Sequence, residues 1–453
     1  MHERSTGRVA TAHDSPVILR EGVPLDSATA AQTTDQRALV SLFSQLRKPS
    51  GQANPIPIYK QFIAMGEIFP HPWGGKLVTS YSLSDRILRD KEQWKVLDRA
   101  WRIRQGDRNR WSSPASLQMT ETLPLLNSPS HTRIRGALGN PFSRRSLLAL
   151  GPSVERSVER LLDGFTEQLR EGPADFVELV TEELPVITIG EWMSLPQADY
   201  KLLRDLTHDQ VHTQEFFPRP TDIATSDRAT AQLEAYFTDF IKERRKKPGA
   251  DPVSSWIRTW DKREADPDRA NAAVHSLALF MVLAALETTG HLLANVTRLL
   301  LEHPGQLDHL RRQPDLIPDA VEETLRFDAP IHLISRMASS DTELDGVSIA
   351  AGETVQLLIG AAHHDPAAYA DPSSFDVRRR HSTALEPSAH LGFGAGVHFC
   401  LGNALARLEA VSLLTGLLRR PHHLGINACP QWASRIAFRR MESLSLRLLA
   451  KGR

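Results

Sequence analysis

From Asp268 to Glu302 the chain runs without a proline, and the middle of that run, Leu277 to Leu286, is apolar at every position. A helix that is apolar all round cannot lie at a surface and has to be enclosed. Ten apolar residues stopped by Glu287 are far fewer than a bilayer crossing needs. The run is therefore expected to pass through the centre of a large domain, with the rest of the chain covering it. A chain of 453 residues is long enough to do so.

The covering elements read mostly as helices. Pro152 to Gly172 carries Val154, Val158, Leu161, Leu162, Phe165 and Leu169 at three-and-four spacing, with proline near its start and Gly-Pro at its end. Asp175 to Met193, Gln197 to Thr213 and Thr225 to Arg245 give similar patterns. Strand signals are fewer. Lys76 to Tyr81 reads as a strand before a short capped helix at Ser84 to Leu88. Val347 to Ile349 and Thr354 to Leu358 flank Ala351-Gly352-Glu353, an expected hairpin turn. Leu444, Leu446 and Leu448 alternate with Ser443, Ser445 and Arg447, the period of a half-buried strand. The expected fold class is mainly α with a minor β part. Residues 1–50 are expected to be a flexible leader with one short helix near Ala38 to Leu46, and 51–453 a single domain.

Lys and Arg total 54 and balance 54 Asp and Glu, which removes the bulk electrostatic case for binding nucleic acid. The polar N-terminus has no signal-peptide core, so a soluble cytoplasmic protein with no membrane association is expected. Two cysteines, Cys400 and Cys429, exclude a disulfide-rich scaffold and a four-cysteine zinc module.

Cys400 sits in the most informative segment, His390-Leu391-Gly392-Phe393-Gly394-Ala395-Gly396-Val397-His398-Phe399-Cys400-Leu401-Gly402. A helical pattern follows at Ala404, Leu405, Leu408 and Val411, so the cysteine lies where a glycine-rich loop enters a helix. Backbone N–H groups and the helix dipole there favour a thiolate. Glycines 394, 396 and 402 let backbone approach a flat ligand. A buried structural cysteine, or a zinc site using His390, His398 and Cys400, are the alternatives, although the ligand count for zinc is poor.

The run Phe393-Gly394-x-Gly396-x-His398-x-Cys400-x-Gly402 resembles the haem-ligand loop of the cytochrome P450 family at every fixed position. The resemblance extends over roughly residues 55 to 450. It implies the P450 fold, with the long helix over a haem b and Cys400 beneath as the iron ligand. His398 would then lie by a haem propionate, and Phe393, Gly394 and Gly402 would border the cofactor.

Three further groups occur in the order the resemblance requires. Glu323 and Arg326 share a helix face and resemble the family's E-x-x-R, with Arg379 as the third member of its structural network. Ala284-Ala285-Leu286-Glu287-Thr288-Thr289 resembles the oxygen-binding segment, whose acid and alcohol handle protons for bound dioxygen. Thr288 is expected to bond the Ala284 carbonyl and face the haem, with Glu287 toward a water path. Ala285 stands where the family commonly has glycine. His131 and Arg135, four apart on one helix face, resemble the family's propionate-holding pair, and Arg336 another propionate ligand.

The resemblance implies a monooxygenase that activates O2 with electrons from NAD(P)H, delivered by a separate ferredoxin and ferredoxin reductase. Arg144, Arg145 and Arg407 are candidates for their docking face. The substrate is expected to be a small organic or carrier-tethered molecule from secondary metabolism, handled by a monomer. Intramolecular coupling, peroxide-driven oxidation and a non-catalytic haem scaffold or sensor are the alternatives. Trp101 to Leu126, Phe216 to Pro220 and Ile331-His332-Leu333 are expected to border the substrate. Arg102, Arg104, Arg108 and Arg110 read as a solvated arginine-rich loop, and otherwise as an attractor for an anionic substrate. His363 and His364 replace an Asn-Arg pair common in the family, and His381 to Ala389 looks longer than usual there.

Overall fold

The computed structural model describes residues 36–106, 110–382, 389–421 and 423–449. Arg108, residues 1–35 of the expected leader and residues 383–388 of the long connection lie outside them.

The proline-free run forms one 36-residue helix, Pro267–Glu302, opened by Asp266, whose side chain accepts the Asp268 N–H. Glu287 does not interrupt it. By length and hydropathy this helix would suffice to cross a bilayer, yet 78% of its most apolar stretch is buried inside the protein. Its first half, through Leu286, joins a core with Trp256 and Trp260 of helix Pro252–Arg263 and Leu233 and Phe237 of helix Pro220–Lys246. Its second half, from Leu292, joins another core with Val158, Leu162 and Phe165 of helix Gly151–Glu171. Leu325 of helix Ile317–Phe327 and Leu413 and Leu414 of helix Asn403–Arg419 complete that core. Between the halves lie Ala284, Ala285 and Thr288, partly exposed within the otherwise buried stretch from Met281 to Leu300. The gap between the cores is where the site opens.

The expected helix from Asp175 to Met193 is broken. Asp175 belongs to a short strand, Val177–Thr181 is π-helical with Glu182 N–H bonded to the Val177 carbonyl at 3.0 Å, and an α-helix resumes at Glu183–Met193. Pro185 has no N–H for the Thr181 carbonyl four residues back. That carbonyl is closely approached by Gly290 of the central helix, where a Cβ would come within 3.0 Å of it. The helix expected from Thr225 begins earlier, at Pro220, a favourable first-turn residue.

The main sheet has five strands in the order Ile68–Pro70, Lys76–Val78, Thr354–Leu357, Ile334–Ala338, Trp94–Lys95. The second and third pair in parallel, Leu77 opposite Gln356, and the rest antiparallel. The hairpin expected at Ala351-Gly352-Glu353 does not form. Val347–Ile349 turns back on Thr342–Leu344 through Asp345 and Gly346, both at positive φ (49° and 82°). Two consecutive left-handed residues make the tight turn that matches strand twist, and Asp-Gly is its usual sequence. Ser445–Leu448 sits between Ala174–Asp175 and Leu424–Ile426. The short helix near the N-terminus, Gln36–Arg47, buries Leu39, Leu42, Phe43 and Leu46 against Tyr59 and Phe62.

Helix Ile317–Phe327 is tied to the segment leading into the cysteine loop by one buried carboxylate. Arg326 meets Glu323 through two 2.8 Å contacts, and Arg379 donates from Nε to both Glu323 oxygens at 3.1 Å. The two guanidiniums also donate to the carbonyls of His363, Ala370, Pro372 and Ser374. Glu323→Gln would leave two buried cations without their anion and is expected to cost about 3–5 kcal/mol. Urea unfolding checks this: a midpoint equal to that of the parent protein would show the network to be idle.

Candidate active site

One cavity of about 430 Å³ fills the gap between the two cores. Ala284, Ala285, Glu287 and Thr288 of the central helix face it, opposite Phe393, Gly394, His398, Cys400 and Gly402 of the cysteine loop. His131 and Arg135, on helix Ser130–Ala137, and Arg336, on strand Ile334–Ala338, line it as well. Segments far apart in sequence thus converge on one space.

Glycine backbone conformation shapes the cysteine loop. Gly394 and Gly396 have φ of +67° and +66°, and a Cβ on Gly396 would lie 2.4 Å from the Leu88 carbonyl. The loop can therefore fold down on helix Tyr81–Arg89 only with glycine there. Cys400 N–H donates to the Phe393 carbonyl at 2.9 Å, and the Asn403 amide donates to the Cys400 carbonyl at 2.7 Å. The thiol is less acidic than the loop pattern suggests. Burial raises its pKa, and the N–H groups of Gly402 and Asn403 with Arg135 and Arg407 offset this only in part. Of the alternative zinc set, His390 is engaged elsewhere, facing Glu322 at 3.1 Å, and no group of three His, Cys, Asp or Glu converges among the described residues. His363 accepts the Leu391 N–H at 2.8 Å, and His364 bonds the carbonyls of Pro372 and Phe327, so both serve as packing residues.

Positive charge collects on the other side of the loop. His131 and His398 lie ring to ring at 4.3 Å. Burial first, then Arg336, His131 and Arg135, pushes His398 down to about 3. Burial pushes Arg336 down to about 10. Among the described residues neither Arg135 nor Arg336 has a carboxylate partner; they donate to the carbonyls of Phe399 and Ser335. His131 Nε2 and His398 Nδ1 are shut from water with no partner.

On the central helix, Thr288 Oγ1 donates to the Ala284 carbonyl at 3.0 Å. Glu287 lines the cavity and is buried. It enters a buried ion cluster, with Arg435 at 2.6 Å, His291 at 3.2 Å, Arg440 at 3.6 Å and His208 at 3.8 Å. Burial alone would raise its pKa, but His291, Arg435 and Arg440 outweigh that and hold it well below the usual carboxylate range. The anionic Glu287 attracts two guanidiniums from the chain's C-terminal part, which closes this side.

Ile331 and Leu333 line the cavity and His332 does not. Its ring is tied to the Tyr59 hydroxyl and faces Asp328 at 3.4 Å, so it is a packing residue. Arg102 is buried and Arg110 half-buried on the cavity wall, while Arg104 is exposed, so the arginine-rich loop is not simply solvated. Phe216 lines the wall; Phe280, Ala437 and Phe438 also do, without having been expected. Phe280 could have been found one turn before Ala284, whereas nothing local marks Phe438. Arg407 is committed to Glu322, at 2.6 and 2.9 Å, and lies 4.5 Å over the Phe393 ring.

A family model described as Cytochrome P450 matches residues 200–423. The chain is 32% identical over 393 residues to the biotin biosynthesis cytochrome P450 of Bacillus subtilis, covering 86% of this chain and 92% of that one. It is 31% identical over 404 residues to cytochrome P450 monooxygenase PikC of Streptomyces venezuelae, covering 87% and 91%. The polyketide biosynthesis cytochrome P450 PksS of Bacillus subtilis is 32% identical over 326 residues, covering 71% of this chain and 76% of that one. Among solved structures, P450BioI in complex with a hexadec-9Z-enoic acid ligated acyl carrier protein superposes with TM-score 0.78, at 29% identity over 88% of this chain and 99% of that one. The chain belongs to the cytochrome P450 family and has its fold. It is an oxidoreductase of the monooxygenase type.

The family's prosthetic group is a haem held by a cysteine thiolate, used with O2. The residues present fit it. A group with two carboxylates meets Arg135 and Arg336, which have no carboxylate among the described residues, and the neutral rings of His131 and His398, each with a ring nitrogen left without a partner. A Cβ on Gly402 would touch nothing within 4 Å, so the loop leaves open space at that point.

Burial also keeps several histidines neutral away from this group: His71 is pushed down to about 4, His208 to about 3 and His364 to about 4. In the unfolded chain each takes up a proton near pH 6.5. Between about pH 6.5 and those values the unfolded state binds more protons, so stability falls as pH falls through this window. Thermal midpoints from pH 7.5 to 5 should decline steadily, and a flat profile would contradict the neutral-histidine assignment.

Proposed function

We propose that this chain is a haem-thiolate monooxygenase that oxidises a small organic substrate, with Cys400 as the iron ligand. The convergence of Cys400, an anion-free group of arginines and histidines, and Thr288 on one cavity carries this reading. His131, Arg135, Arg336 and His398 would hold the haem carboxylates, and Phe393, Gly394 and Gly402 its lower face. When bound, the haem supplies activation of O2. The chain's own part is to exclude water, orient substrate and move protons. Thr288, with its hydroxyl anchored to Ala284 O at the cavity face, is placed to relay protons there. Glu287, held charged by Arg435 with His291 beside it, ties the helix at this point to the C-terminal part of the chain.

Electrons would come from NAD(P)H through a separate ferredoxin and its reductase. The exposed Arg144, Arg145, Leu148 and Phe399, beside the cysteine loop, suit docking of such a partner; Arg407 has its charge matched by Glu322. A role in secondary metabolism is supported by the likeness to a polyketide-biosynthesis P450, and a carrier-tethered substrate by the likeness to P450BioI, solved with an acyl carrier protein. The protein would work as a cytoplasmic monomer.

A reduced carbon-monoxide difference spectrum tests the reading first. The red-shifted Soret band of thiolate-ligated haem is expected, and Cys400→Ser should lose it. A band at the position of haem without thiolate in the parent protein would remove Cys400 as ligand. In Thr288→Ala, reducing equivalents should drain to peroxide, with product per NAD(P)H falling by roughly tenfold. Unchanged coupling would take Thr288 out of the relay.

A further inference from the structure

Most guanidiniums buried in this protein face a carboxylate. Arg298 and Arg439 share Asp328, Arg326 and Arg379 share Glu323, and Arg435 meets Glu287. Arg336 is free of one at the haem-carboxylate group. Arg102 is the other exception, and Arg110 stands beside it. Among the described residues, Arg102 donates only to neutral groups: from Nε to the Leu97 carbonyl at 3.3 Å and from Nη1 to the Ser116 carbonyl and hydroxyl at 2.9 and 2.5 Å. Arg110 uses Nη1 alone, on the carbonyls of Glu215 and Phe216. The Trp111 ring joins the two, with its centroid 3.9 Å from the Arg110 guanidinium and 5.2 Å from that of Arg102.

Both arginines line the cavity that Cys400 and Thr288 line. Nη2 of Arg102, and Nε and Nη2 of Arg110, have no partner among the described residues. The neighbouring carboxylate, Glu215, is already taken: its oxygens accept the N–H groups of Ile436, Ala437 and Phe438 at 3.0, 3.2 and 3.0 Å. The pair is also anchored on other segments than the haem-carboxylate group: Arg102 and Arg110 bond Leu97, Ser116, Glu215 and Phe216, whereas Arg135 and Arg336 bond Phe399 and Ser335. Two adjacent cations in an apolar wall are costly unless an anion arrives to share them.

Resting on the monooxygenase reading, we propose that Arg102 and Arg110 form a carboxylate-binding subsite, and that the substrate is an organic acid whose apolar body lies toward Cys400. Guanidinium edges match a carboxylate through paired N–H donors. Met119, Phe280 and Leu333 supply apolar wall for the body of such a molecule. Arg102 is only 6% exposed, which favours a terminal group enclosed in the cavity over a tether leading out of it.

The test uses the purified holoprotein and a panel of alkyl and arylalkyl carboxylic acids, each paired with its methyl ester. Binding is read by calorimetry and, independently, by the spin-state shift of the Soret band. The acids that bind should do so about tenfold or more tightly than their esters. Arg110→Gln should abolish that preference and Arg110→Lys restore part of it, with haem content and the carbon-monoxide spectrum unchanged. Equal affinity for acid and ester, or a preference that survives Arg110→Gln, overturns the proposal. Loss of haem from Arg102→Gln and Arg110→Gln would place the pair on the haem carboxylates and also overturn it. A preference for the phosphopantetheine thioester of an acid over the free acid, lost in Arg110→Gln, would move the anion to the tether phosphate and overturn the carboxylate assignment. Failure of the monooxygenase reading is a distinct result: the thiolate spectrum would be missing while calorimetry still reported the acid preference.

Discussion

Enclosing the long apolar helix is the constraint from which the rest of the architecture follows. A helix apolar on every side needs cover on every side, and one core is not enough for 36 residues. Two cores form, one around Trp256 and Trp260 and one around Val158, Leu325 and Leu413. Leu279, Met281 and Leu283 before the cavity and Leu292 and Leu293 after it fill their cores, while Ala284, Ala285 and Thr288 leave room between them. The active cavity is thus the place where cover is incomplete, set by side-chain size along one element. Thr288 adds a second local effect. Its hydroxyl bonds back to the Ala284 carbonyl, the i−4 contact that loosens a helix locally.

Around that cavity, charge is sorted by a simple rule. Three buried carboxylates in the framework are matched by guanidiniums: Glu323 by Arg326 and Arg379, Asp328 by Arg298 and Arg439, Glu287 by Arg435; Glu409, without such a partner, is pushed up to about 8 by burial. Each such cluster bolts together segments distant in sequence, and breaking one leaves a stranded charge. Among the described residues, the cations Arg135, Arg336, Arg102 and Arg110 that line the cavity have no carboxylate partner. Unmatched buried charge is a cost to the empty fold that bound ligands remove, so its distribution maps where anions belong.

What the sequence made legible was local. The cysteine loop could be read because its glycines, His398 and Cys400 lie within a few residues and each has a backbone or chemical reason to be there. The central helix could be read from composition alone, and the Glu323–Arg326 pair from helical spacing. Long-range partners could not. Glu287 meets Arg435 across 148 residues and His332 meets Tyr59 across 273, so neither the ion cluster around Glu287 nor the partners of the His332 ring could be read locally. The misplaced hairpin was a different kind of error. Asp345-Gly346 carried the stronger turn signal in plain sight, and Gly352, also at positive φ, drew the assignment instead.

The cysteine shows how burial can outweigh a local motif. A thiol at a helix entrance with two N–H groups aimed at it would ordinarily ionise easily. Here burial in an apolar cavity costs the thiolate more than Gly402, Asn403, Arg135 and Arg407 return, so the thiol alone stays protonated. With the family's haem bound, Cys400 would hold the iron as the thiolate, and taking up the metal would release the thiol proton. The same balance serves the ligand's function. Strong hydrogen bonding would draw electron density off sulfur, whereas a thiolate formed in a dry pocket with few donors keeps that density to give to iron. Arg407, matched by Glu322 and stacked on Phe393, stiffens the loop without pressing its full charge on the sulfur. A loop built to ionise Cys400 more easily would hold a weaker donor.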